Sequence, residues 1–206
     1  MNALPLGSAP TGVTTPAVPT SEYGTVERVI LLAEDGTPVG VADKAEVHTR
    51  STPLHLAFSC HIRDARGQVL VTRRALSKKT WPGVWTNSLC GHPAPGESFE
   101  SAIARRAHEE LGLELTDIRM VLPDFRYRAV DASGVVENEI CPVFTARAGS
   151  ELAPNPAEVM DYTWVAPSDL RRAIEVAPWA LSPWLVEHSP GLALLVDESD
   201  RSEGPA

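Results

Sequence analysis

GHPAPGESFESAIARRAHEELGL, residues 91–113, is the stretch on which the fold turns. A loop of small residues and proline runs from Gly91 to Glu97. From Ser98 to Leu111, Phe99, Ile103, Ala107 and Leu111 then recur every fourth residue, the period of one helical face. Ser98 suits the N-cap and Gly112 the stop. The helix carries Glu109 and Glu110 on its surface near the incoming loop, where hard carboxylate oxygens can hold Mg²⁺ on a diphosphate. Taken alone, the pair also reads as a solvated acidic helix face.

On both sides of this helix the pattern has the period of strands. Upstream, a strand is expected over Glu27–Leu32. From His55 the residues alternate, with Leu56, Phe58, Cys60 and Ile62 on one face. Asp64-Ala65-Arg66-Gly67 turns this segment into Val69-Leu70-Val71 as a hairpin, and a further strand covers Trp85 to Leu89. Downstream, two strands are expected, at about Ile118–Val130 and Val136–Ala146. Another near Tyr162–Val165 leads into a helix capped by Ser168, and Trp179–His188 reads as helical. The fold class is therefore α+β, a mixed β-sheet packed between α-helices.

At 206 residues, against about 150 for a typical domain, one domain with loose ends is the leading count. Residues 1–22 are Pro, Thr, Ala, Gly and Ser without period, and 191–206 end in acidic residues, so tails are expected there around a domain at 23–190. Eighteen Lys+Arg against 27 Asp+Glu leave a net charge of −9. That disfavours a nucleic-acid partner and means that any anion must be met by local bases or a metal. No apolar run reaches the roughly 18 residues that would span a bilayer. No basic residue precedes Arg28, and Cys60, Cys90 and Cys141 are an odd, widely spaced set. Both features fit a cytoplasmic chain without disulfides.

Four constellations carry chemistry. Cys90 and His92 sit where a strand enters the loop, and a thiol beside a cation site could give or take a proton. Glu137 and Glu139 share one face of a strand, which is either a solvated face or half of a chelate. His48, His55 and His92 could join those two carboxylates around Mn²⁺, Zn²⁺ or Mg²⁺, though spacing alone cannot make them converge. Arg73, Arg74, Lys78 and Lys79 place four bases in seven positions, an anion site or an exposed turn.

The run from Gly91 resembles the Nudix box: a Gly, a Glu six residues on, an Arg eight further, and a carboxylate pair before Leu-Gly. It departs where Arg106 stands in place of an acid, which weighs against plain hydrolysis. Arg106 is expected either to contact phosphate or to form an i, i+4 pair with Glu110 worth only about 0.3–0.5 kcal/mol. RRALSKKTWPGVWTNSLCGHP (73–93), HLAFS (55–59), DFRYRA (124–129), ENEICPVF (137–144) and WALSPW (179–184) further resemble type 1 isopentenyl diphosphate isomerase, from about residue 26 to 188.

The resemblance implies a Nudix-like fold and interconversion of isopentenyl and dimethylallyl diphosphates by proton addition and removal. It implies Cys90 and Glu139 as the acid/base pair, assisted by Tyr127, and a divalent ion on His48, His55, His92, Glu137 and Glu139. It also implies Mg²⁺ between Glu110 and the diphosphate, and phosphate contacts at Lys44, Arg74 and Lys78. Protonating an alkene makes a carbocation that water would capture, so a dry pocket with an aromatic face is needed. Trp184 is the candidate for that face, with core packing as the alternative. A monomer or weak homodimer is expected. A Nudix-type diphosphate hydrolase and a non-catalytic diphosphate-binding module are the other readings; Arg106 with the Cys90/His92 pair argues against the first, and the acid/base candidates against the second.

Overall fold

The computed structural model describes residues 27–195; the segments expected as tails at 1–22 and from 196 onward lie outside the described residues. In chain order the elements are β1 (Arg28–Leu32), β2 (Pro38–Asp43), α1 (Lys44–Val47), β3 (His55–Leu56), β4 (Phe58–Arg63), β5 (Val69–Arg74), β6 (Trp85–Thr86) and β7 (Leu89–Gly91). There follow α2 (Phe99–Leu111), β8 (Leu115–Leu122), β9 (Arg126–Val130), β10 (Val136–Ile140), β11 (Val143–Ala148), β12 (Val159–Val165), α3 (Pro167–Val176) and α4 (Pro183–His188). They form two mixed sheets rather than one. The first has the order β2-β1-β3-β10-β9 and the second β12-β5-β4-β11-β8, with β6 on β5 and β7 on β4.

The expected long strands are broken where two neighbours change sheet together. β3 and β10 are parallel partners in the first sheet, with Glu139 opposite His55, and their continuations β4 and β11 are parallel partners in the second, with Val143 opposite Ser59. Across the gap the ladder survives as two backbone bonds, Ala57 N–H to the Ile140 carbonyl at 3.0 Å and Ser59 N–H to the Pro142 carbonyl at 3.1 Å. Pro142 accepts but has no N–H to give, so the ladder cannot run through it unbroken. The same logic splits Ile118–Val130 into β8 and β9. Trp85–Leu89 likewise becomes β6 and β7, because the Asn87 side chain turns inward and bonds to the Cys60 and Leu89 carbonyls.

α2 forms as its sequence demands. Ser98 Oγ accepts from Ser101 N–H, and Gly112 closes the helix in the left-handed region at φ 61°. A Cβ at Gly112 would lie 2.7 Å from the Ala153 carbonyl oxygen, so close packing as well as conformation requires glycine. Ala102, Ile103, Ala107 and Leu111 bury against Phe58, Ile62 and Phe144 on one face of the second sheet. The other face packs Val69, Val71 and Val143 against Leu170, Ile174 and Leu185 of α3 and α4. Leu192 and Leu195 join this second cluster, so burial of two leucines carries the packed chain to Leu195, past the boundary expected at 190. Ser168 does not cap α3: Ala166 is the N-cap and Pro167 the first helical residue, the position where a missing N–H costs nothing. Pro183 likewise confines the expected 179–188 helix to a 3₁₀ turn followed by α4. No described helix is long and apolar enough to cross a membrane.

His61 of β4 and His188 at the end of α4 meet Nε2 to Nε2 at 2.8 Å, both buried. Burial pushes His61 down to about 4 and His188 well below the ordinary imidazole range. Both rings are therefore neutral in the fold, while an unfolded histidine protonates near 6.5. Below that pH the unfolded chain binds more protons, and stability falls as pH drops from 6.5 towards 4, by about 3 kcal/mol for His61 over the whole window. Urea unfolding at about pH 7 and about pH 5 checks this. His61→Gln is expected to lose less stability over the interval than the wild type; an equal loss would place the titration elsewhere.

Candidate active site

Where the two sheets diverge, a cavity of about 600 Å³ opens. Every residue that the resemblance assigns a role lines it except His55, which has no exposed surface; Arg73 and Glu109, also singled out from the sequence, are not part of the lining. The segments that meet there are distant in the chain: α1 and its C-cap give Lys44 and His48, β3 gives His55, β7 and its loop give Cys90 and His92, and β10 gives Glu137 and Glu139. Strand period sends both glutamates to the cavity while Val136 turns into the core.

The ring nitrogens of His48, His55 and His92 and a Glu139 oxygen all lie within 4.8 Å of one another. His92 Nε2 is 3.1 Å and His55 Nε2 3.3 Å from Glu139 Oε1, and His48 Nε2 is 2.9 Å from Glu137 Oε2. Yet His48 Nε2, His55 Nε2 and Glu137 Oε2 are buried without a hydrogen-bond partner. Close, buried and unbonded, these atoms are a set that a shared cation would satisfy. His55 Nδ1 lies 2.9 Å from the Pro53 carbonyl oxygen, a contact that orients the ring so that Nε2 faces the cluster. Three imidazoles and two carboxylates fit a divalent metal. Burial opposes charge on Glu139, but His55 and His92 together hold its carboxyl well below the usual range. Burial pushes His92 down to about 4, which keeps it neutral as a ligand must be.

Cys90 borders the cage. Burial pushes its thiol up to about 11, with the Ser59 and Asn87 hydrogen bonds pulling the other way, so it holds its proton at neutral pH. Sγ lies 3.4 Å from Ser59 Oγ and 3.3 Å from Asn87 Oδ1. Burial, and then the charges of Glu139 and Glu137, keep Tyr127 a neutral phenol. Trp184 is buried; its Nε1–H donates to Asn87 Oδ1 at 3.0 Å, and its ring meets Trp81 edge-on and Tyr127 at a tilt. The Arg74 guanidinium stands 5.5 Å from its centroid, so this ring already receives a cation. Cys60 and Cys141 are buried, and Cys141 reaches Ser59 at 3.5 Å.

The Nudix-like helix contributes less chemistry per carboxylate than its sequence suggests. Glu97 takes a forked pair of bonds from Arg105, both at 2.8 Å, and one from Ala94 N–H. These two box residues therefore fasten the loop to the helix. Arg106 adopts the i, i+4 pairing with Glu110 rather than standing as a free base, and also reaches Glu109, Glu27 and Glu158. Its side chain is only 7% exposed and that of Glu110 10%. Breaking such a buried pair costs about 3–5 kcal/mol, ten times the value expected of an exposed pair. Lys44 pairs with Glu27 at 2.5 Å, and Lys78 with Glu158 and, at 3.9 Å, Glu110.

Two residues not singled out from the sequence support the site. Thr80 donates to Glu137 Oε1 at 2.7 Å while its carbonyl accepts from Arg74. Asn87 Oδ1 accepts from Thr86, Cys90 and Trp184. Threonine and asparagine in a turn-rich stretch carry no signal of either role.

The NUDIX domain model matches residues 53–185. An isopentenyl-diphosphate Delta-isomerase of Kocuria rhizophila is 62% identical over 165 residues, 80% of this chain and 92% of that one. Its counterpart from Brevibacterium linens is 60% identical over 173 residues, covering 84% and 95%. Among solved structures, a Deinococcus radiodurans protein aligns with a TM-score of 0.61 at 24% identity, covering 78% of this chain and 96% of its own, a likeness of fold.

The geometry predicts one divalent ion per chain in the histidine–carboxylate cage. His55→Ala and Glu137→Ala are each expected to weaken binding of Mn²⁺ by more than tenfold, read by calorimetry on chelator-stripped protein, because His55 belongs to the cluster and Glu137 pairs with its His48. Undiminished affinity in both would show that the cluster is not the site.

Proposed function

The chain belongs to the NUDIX domain family and, within it, to the isopentenyl-diphosphate Delta-isomerases, and from that membership we propose how its residues divide the work. It interconverts isopentenyl and dimethylallyl diphosphate: a proton is added at one end of a three-carbon unit, another is lost from the opposite end, and the diphosphate stays whole. The observation that carries the reading is the meeting of a protonated thiol, Cys90, and an ionised carboxylate, Glu139, in one cavity floored by Trp184 and Tyr127.

In their resting forms Cys90 and Glu139 are one donor and one acceptor. A reversible proton shift across an alkene needs that pair, and each turnover exchanges their states. Tyr127, neutral and in the same cavity, assists by hydrogen bonding to whichever partner carries charge. The face of Trp184 stabilises the cationic carbon by about 2 kcal/mol when dry, without offering a nucleophile to trap it. Lys44, Arg74 and Lys78 grip the diphosphate, with Arg106 lending charge through Glu110; binding energy gathered at this remote end orients the alkene.

His48, His55, His92, Glu137 and Glu139 would hold Mn²⁺, Zn²⁺ or Mg²⁺, and Glu110 would hold Mg²⁺ on the diphosphate; these ions would supply fixed positive charge beside the carboxylate and the phosphates. The partner is thus a small molecule, with no nucleic acid and no membrane, and the enzyme works in the cytoplasm as a monomer or weak homodimer.

Proton NMR in D₂O tests the assignment. Metal-loaded protein is expected to turn isopentenyl diphosphate into dimethylallyl diphosphate with deuterium on carbon. Cys90→Ala is expected to lower turnover by about 10²–10⁴ with unchanged metal content and substrate affinity, and Cys60→Ala to leave it nearly intact. Phosphate release without deuterium on carbon would return the hydrolase reading.

A further inference from the structure

Away from the catalytic cavity, the face of the second sheet opposite α2 carries three arginines on three adjacent strands. Arg63 ends β4, Arg147 is its register partner on the parallel strand β11, and Arg119 of β8 lies opposite Thr145 of β11. Partnered positions share a face and those two apart along a strand share it too. All three arginines line an open cavity of about 760 Å³ between the sheet, the start of α3 and the turns that close the described chain.

The local charge is unbalanced. Asp117, held at φ 54° in β8, reaches Arg119 at 2.6 Å and Arg147 at 3.6 Å. Among the described residues no acid or acceptor reaches Arg63, and its Nε is buried without a partner. Like charges on facing strands are destabilising, and so is a buried donor left unmade; among the described residues Asp117 is the one acid in the lining. The cavity is also bordered by Pro167 and Ser168, the first turn of the ten-residue helix α3, whose N-cap Ala166 supplies no side-chain cap. Asp169 of that turn is not part of the lining. An uncapped helix N-terminus adds partial positive charge and, since Pro167 has no N–H and those of Asp169 and Leu170 bond to the Ala166 carbonyl, the single N–H of Ser168.

We infer that this cavity is a second anion site, for a small molecule bearing a phosphate or diphosphate group. Three guanidinium groups less one carboxylate leave a net charge of two, which a phosphate dianion or a diphosphate balances and a single carboxylate does not. Arginine forks match phosphate oxygens in bidentate fashion, and Arg63 supplies an uncommitted one. The volume admits an organic group beyond the phosphates. The argument does not depend on the isomerase reading, since no residue is shared with the cavity at Cys90.

Inorganic pyrophosphate titrated by calorimetry into the full chain in excess chelator tests the site. Chelation keeps metal-bridged binding at Glu110 out of the readout, and Arg74→Gln/Lys78→Gln disables the catalytic phosphate contacts. Binding at one per chain is expected in the wild type and in that double variant, and at least tenfold weaker in Arg63→Gln and in Arg147→Gln. Without pyrophosphate, Arg63→Gln is expected to melt no lower than the wild type, since it removes a charge that no described residue pairs with. The inference is overturned by no binding at millimolar pyrophosphate, by binding lost in the double variant, by binding retained in both arginine variants, or by a lower melting temperature of unliganded Arg63→Gln.

Discussion

Two parallel strands that leave one sheet side by side and enter another are the constraint from which the rest of the site follows. The step from β3 to β4 takes one residue, Ala57, and that from β10 to β11 takes two, Cys141 and Pro142. His55 and Glu139 are partners just before the step, and Ser59, just after it, pairs with Cys90 of β7. The metal cage and the thiol are thereby set a fixed few residues apart on backbone that is hydrogen-bonded on both sides. Groups mounted this way hold their separation better than groups on loops, which suits the proposed chemistry, in which one proton is added to a small carbon frame and another is removed from it. Widening the gap would mean breaking ladder bonds, so the spacing of acid and base is as stable as the sheets themselves.

Electrostatics at the mouth follow a different logic. The bases expected to grip phosphate are not waiting bare: Lys44, Lys78 and Arg106 are engaged by Glu27, Glu158 and Glu110, and Arg74 is held by Thr80 and rests over Trp184. A diphosphate therefore enters a network that is already close to neutral. It must displace carboxylates from the lysines or arrive with cations of its own, and the carboxylates it frees become ligands for those cations. Under the proposed function, that exchange would let so acidic a chain accept a polyanion with Arg106 standing where the box has an acid. That arginine holds Glu110 in place.

The legible and illegible parts of the fold divide by range. α2 could be read to the residue because a four-residue period, a serine cap and a terminal glycine are local facts. The strand breaks could not, because the consequence of Pro142 depends on which strand lies beside it. The cap of α3 lies two residues before Ser168, because Ser168 fits a cap by type while Pro167 fits the first turn by shape. In the site, the identities of Cys90, His92, Glu137 and Glu139 were legible from motif resemblance, but their convergence with His48 and His55 depends on four separated segments and no spacing encodes it. Thr80 and Asn87 act only through partners the linear chain does not reveal. The same holds for Arg63, Arg119 and Arg147, which are scattered over 85 positions and gathered only by strand register.

Asn87 ties chemical ageing to activity. Its amide oxygen receives three hydrogens while its amide nitrogen spends both of its own on the Cys60 and Leu89 carbonyls. Asparagine is among the residues that heat degrades first, and hydrolysis of this amide would replace two donors with an acceptor facing two carbonyl oxygens. Burial and full engagement shield the group in the folded chain; a molecule that had once opened and lost it could not close in the same way. Loss of this one amide is therefore a route by which unfolding of the chain becomes irreversible.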